Sequence, residues 1–146
     1  MEWSHTRALS LVQNQLDFNR FKNSEEATAA DISLAALWVL ADKLKMPRLQ
    51  NQVMTIFHRL CEDYAIVPLS TFHYIYENTS MDSSLRKFVV RLCVTELHES
   101  VYKMNSADFP QEMMFDIAQC MAGLLSDVAW DDSVVITEYY VNTKVD

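Results

Sequence analysis

The side chains of this chain best suited to ligate a metal or attack a substrate are its histidines and cysteines. His58 and Cys61 stand three residues apart, and His73 and Cys93 could approach them in a fold. A tetrahedral zinc site takes four ligands, usually in close pairs such as C-x-x-C, and the chain has no such pair. His58 falls beside the apolar face of its helix, where a half-buried structural histidine is ordinary. A serine nucleophile would need a glycine-flanked elbow, and the chain has one glycine, Gly123. The same shortage rules out a phosphate loop. A cysteine nucleophile needs an electropositive, partly open setting, whereas Cys61, Cys93 and Cys120 lie on or beside apolar stripes. Carboxylates pair at Glu25-Glu26, Glu62-Asp63, Asp131-Asp132 and around His98, at Glu96 and Glu99. Acid–base chemistry needs two carboxylates in different environments within one cleft, and neighbours on a polar face are simply solvated. The expectation is no catalytic residue, no metal and no cofactor.

The elements that would position these residues read as helices. Half of the 146 residues are hydrophobic, with one glycine and three prolines. Sheets and dinucleotide folds need glycine at their turns, so the composition favours one all-α domain of five or six helices in antiparallel pairs. The key segment is residues 32–52. Residues 34–41 (LAALWVLA) contain no polar group, so this helix would be apolar nearly all round and lie inside a fold. Asp31 is placed to cap it, and Pro47 restricts Met46 to extended geometry and ends it near Leu44. Pro47 then opens a second helix, with Leu49, Val53, Ile56, Phe57, Leu60 and Tyr64 on one face. A third helix follows Pro68 with Leu69, Phe72, Ile75 and Tyr76. A fourth starts near Asp82 and carries Leu85, Phe88, Val89, Leu92, Cys93 and Leu97.

Asp108 and Pro110 start a fifth helix with Met113, Met114, Ile117, Met121, Leu124 and Leu125. Its methionines fit either core packing or an adaptable binding groove. Leu9, Val12 and Leu16 suggest a peripheral N-terminal helix, and residues 23–30 read as a loop or helix approach. Residues 134–141 are β-branched and aromatic, which favours extended chain. They read either as a tail ordered where Trp130 docks or as a strand for a partner's sheet edge. The organisation expected is a peripheral segment 1–30, a helical domain 31–126 and a tail 127–146.

The formal charge is −8, from 20 acidic and 12 basic residues. This opposes binding to nucleic acid or an anionic membrane. Three scattered cysteines read as reduced thiols, and the N-terminus has no apolar signal core. These features point to the cytoplasm or nucleus.

Residues 38–44 (WVLADKL) followed by residues 46–51 (MPRLQN) resemble the late helices of fungal BTB/POZ-domain proteins. Residues 32–61 are similar to the family's terminal hairpin and residues 69–97 to the helical pair after it. Residues 106–110 (SADFP) and the helix beyond resemble its continuation. The sheet core and dimerising helix of that family would need more residues before Asp31 than are present, so the likeness is to its C-terminal helical part. The resemblance implies an adaptor-like module of protein–protein interaction, linked to ubiquitin-ligase assembly. It also implies a cullin-type scaffold as partner, although the motif that reads the cullin has no residue-by-residue counterpart here.

The function expected is therefore a protein-interaction module and not an enzyme. A small enzyme with an unrecognised site, or a transcription-linked regulatory module, stands as the alternative. If the apolar hairpin is incompletely covered, a patch of more than a few hundred Å² stays exposed and marks an interface. That predicts self-association or a required protein partner, with Leu37, Trp38 and Leu40 near the contact or under its cover. Phe72 and Tyr76 of the third helix are named beside them as interaction residues.

Overall fold

The computed structural model describes residues 24–126 and 134–144. The expected peripheral helix at Leu9, Val12 and Leu16 and the docking of Trp130 lie outside these residues. Among the described residues the fold is all-α, with six α-helices, three short 3-10 turns and no strand. The helices are α1 (Ser24–Lys43), α2 (Pro47–Tyr64), α3 (Phe72–Asn78), α4 (Ser84–Glu96), α5 (Glu99–Met104) and α6 (Gln111–Leu125). No helix among them is long and apolar enough to cross a membrane. The chain divides into two compact units, one comprising Met1–Ile66 with Tyr140–Asp146, the other Val67–Tyr139.

In the first unit α1 and α2 pack along each other as a helical hairpin. Of residues 34–41, only Ala36 and Leu40 are not buried, as an apolar run of this kind requires. The turn between the helices has two causes. Met46 before Pro47 is turned out of the helical region, to φ −117° and ψ 72°. Lys45 is left-handed, at φ 55°, and the Met46 amide donates to the Ala41 carbonyl at 2.9 Å. This is a Schellman-type closure with lysine where glycine is usual. The end of α2 repeats the device. Ala65 stands at φ 48° and the Ile66 amide donates to the Cys61 carbonyl at 3.1 Å.

The expected cap at Asp31 is wrong. The helix begins at Ser24, because the glutamates and alanines that follow are good helix formers. Asp31 therefore sits inside α1, 1% exposed, and neither of its carboxylate oxygens has a hydrogen-bond partner. Burial pushes its carboxyl up to about 7.

The extended C-terminal segment is not a strand where it is described. In the first unit the Asn51 amide holds the backbone of Val141 on both sides. Asn51 Nδ2 donates to the Val141 carbonyl at 3.1 Å, and the Val141 amide donates to Asn51 Oδ1 at 2.8 Å. The Thr55 and Tyr140 hydroxyls meet at 2.5 Å.

In the second unit Ser83 caps α4 by accepting from the Leu85 amide at 3.2 Å. The buried face of α4 holds Leu85, Phe88, Val89, Leu92 and Cys93, the stripe expected from its spacing. Helix α6 packs along α4, and the 3-10 turn Ile136–Tyr139 sets Tyr139 edge-on to Phe88, with ring centroids 5.8 Å apart. Helix α5 was not expected. Its six residues bury no side chain, so no apolar period announces it.

Candidate protein-interaction face

Arg86 organises the second unit. Its side chain is buried, yet every edge of the guanidinium is used. Nε donates to Thr79 Oγ1 at 2.9 Å, and Nη2 donates to the carbonyls of Tyr76 at 2.8 Å and Thr79 at 2.6 Å. Nη1 donates to Glu112 Oε1 at 2.7 Å, and the plane lies 4.3 Å above the Tyr76 ring. The carbonyls belong to the end of α3, where unpaired acceptors and the helix dipole both favour a cation. Tyr76 then donates its hydroxyl to Asp116 Oδ2 at 2.6 Å. Burial, and next the carboxylate of Asp116, raise the Tyr76 hydroxyl far above ordinary tyrosine, so it stays a donor.

Glu112 and Asp116 are four residues apart and so share one edge of α6. Their bonds to Arg86 and Tyr76 fix how the helix is rotated. Met113 and Ile117 point inward and are buried. What remains outside is apolar. Phe115 is 68% exposed, Leu125 85%, Met114 40% and Met121 36%, and Ala118 and Ala122 between them are exposed as well. At about 100° per residue these six positions form one uninterrupted stripe. An ordinary surface helix turns its polar side to solvent. In α6 the two carboxylates anchor the inner edge and the outer face carries the hydrocarbon.

Of the five residues expected at an interface, only Leu40 offers surface, at 48% exposed. Leu37 and Trp38 are buried in the first unit. In the second, Phe72 is buried against Phe109, with ring centroids 5.6 Å apart, and Tyr76 serves the Arg86 cluster. Phe115 and Leu125 were missed as surface residues, and Met114 and Met121 were left open between core and binding groove. The signal for them was present. Met113–Ile117–Leu124 and Met114–Ala118–Met121–Leu125 are two apolar rows side by side, and packing against a neighbour uses one. The methionines divide accordingly, Met113 to the core and Met114 and Met121 to the surface.

Among the described residues no three His, Cys, Asp or Glu side chains gather as a metal set. His58 pairs with Glu62 at 3.3 Å, and His73 Nε2 lies 2.7 Å from the Ala107 carbonyl. Burial raises both the Cys61 and Cys93 thiols, Cys93 to about 12, which disfavours the reactive thiolate. No protein-family model matches the chain, and comparison with curated proteins and solved structures finds none similar to it.

Proposed function

We propose that this chain is an adaptor-like protein–protein interaction module whose docking face is the outer side of α6. The observation that carries the reading is the uninterrupted stripe Met114, Phe115, Ala118, Met121, Ala122 and Leu125 on a helix anchored by the hydrogen bonds of Glu112 and Asp116. Exposed apolar patches of several hundred Å² are characteristic of binding surfaces, and methionine and phenylalanine are enriched at their centres. The likeness of residues 32–61 to a BTB/POZ terminal hairpin supports the adaptor part of the reading. The test is affinity capture with wild type and with the double substitution Phe115→Ser, Leu125→Ser. Both positions are exposed, so the fold should survive. Proteins retained by wild type should be lost from the variant. An identical set retained by both would place binding elsewhere.

A further inference from the structure

We infer that the outer face of α6 is occupied by the same face of a second copy of this chain, the two helices running antiparallel. The inference rests on the interaction-module reading and names its partner. Charge is the first argument. The chain carries −8 overall, which opposes contact between copies over most surfaces. The α6 stripe is the exception, because it contains no charged residue. The nearest carboxylates, Glu112 and Asp116, are turned to Arg86 and to the Tyr76 hydroxyl, and Gln111 and Gln119 flank the stripe without charge. A basic partner would find no free carboxylate row here, whereas a second neutral stripe meets no repulsion.

Shape is the second argument. Ala118 and Ala122 form a small-residue centre, with Phe115 on one side and Leu125 on the other. A two-fold axis between Ala118 and Ala122 brings each alanine against the other's counterpart, so the backbones approach closely. It also sets Phe115 against Leu125 of the second copy at both ends, and aligns the helix dipoles favourably. The four large side chains leave on the order of 450 Å² exposed, taking about 150–250 Å² for a full side chain of this size. Two faces together approach the roughly 1,000 Å² at which specific interfaces begin. The pair should therefore be a reversible dimer rather than an obligate one.

The test is sedimentation velocity of the full chain from about 1 to 300 μM, with helicity checked by circular dichroism. Wild-type mass should climb toward the dimer with concentration. Ala122→Glu, at the exposed centre, should stay monomeric while retaining wild-type helicity. Phe115→Lys and Leu125→Glu should each weaken association at least about tenfold. The two combined in one chain should restore it at low salt, because antiparallel pairing sets each lysine against a glutamate. A dimer that survives Ala122→Glu overturns the proposal, and so does a double variant no better than the single ones. A monomeric wild type that binds hydrophobic dye at α6, with the dye lost in the double variant, overturns the second copy but leaves the docking face for another protein. A monomeric wild type that binds no dye overturns both.

Discussion

Helices α1 and α6 are the most apolar of the long helices, and they meet opposite fates. In α1 almost every apolar side chain of residues 34–41 is buried, and even the carboxylate of Asp31 is taken inside without a partner. In α6 the two carboxylates reach donors on the inner side and a full apolar face is left bare. The difference teaches that apolar content does not decide burial. The placement of the few polar groups does. A helix whose polar residues are claimed by buried donors is rotated by them, and whatever lies opposite is exposed.

The largest effect should separate the two helices directly. Trp38→Ala in α1 removes a side chain only 3% exposed and should cost about 3–5 kcal/mol of stability. Phe115→Ala on α6 should cost under about 0.5 kcal/mol. Urea denaturation of both variants gives the numbers, and equal losses would break the comparison.

Arg86→Ala should come next. It strands two carbonyls of the α3 end and the carboxylate of Glu112, and breaking a buried, hydrogen-bonded charge pair costs about 3–5 kcal/mol. Glu112 is itself more than half exposed, which places the loss at the low end. The accompanying sign is loss of the α6 anchor, read as faster amide exchange in α6 than in α1. Uniform acceleration in both helices would mean that Arg86 stabilises the chain without orienting α6.

Asp31 gives a smaller and pH-dependent effect. Its folded value, about 7, lies above the 3.8 of an ordinary aspartate. The folded chain thus keeps a proton that the unfolded chain releases, so stability is full below about pH 4 and falls until about pH 7. The loss should be about 2–4 kcal/mol. The Cys61 thiol is raised by burial and next by the charge of Asp31, and Glu62 stands close to it as well. Asp31→Asn should flatten the profile over this range. A wild type whose melting temperature rises steadily from pH 4 to 7 would contradict the burial described.

Much of this architecture was legible in the sequence. The hairpin at Met46-Pro47 follows from proline geometry, and the buried faces of α2 and α4 follow from the spacing of Leu49 to Leu60 and Leu85 to Cys93. Asp31 misled because an acidic residue ahead of an apolar run has the appearance of a cap. The helix-forming residues before it prevailed instead. The β-branched and aromatic residues 134–141 favour extended chain, yet Ile136–Tyr139 forms a 3-10 turn, because Asn51 and Phe88 supply tertiary contacts that local preference does not encode. The α6 face was half legible. Its apolar rows were visible, but which row faces inward depends on Arg86 and Tyr76, more than twenty residues upstream.

The central claim is that the outer side of α6 is the binding face, and methionine methyl NMR tests it residue by residue. Spectra of chain labelled at the methionine methyls would be compared from about 1 to 300 μM. Met114 and Met121 signals should shift and broaden with concentration. Met54 and Met113, which are fully buried, should stay fixed, and so should Met81 and Met104, which are 76% and 83% exposed but off the stripe. Movement of Met81 or Met104 with Met114 and Met121 unchanged would contradict the account.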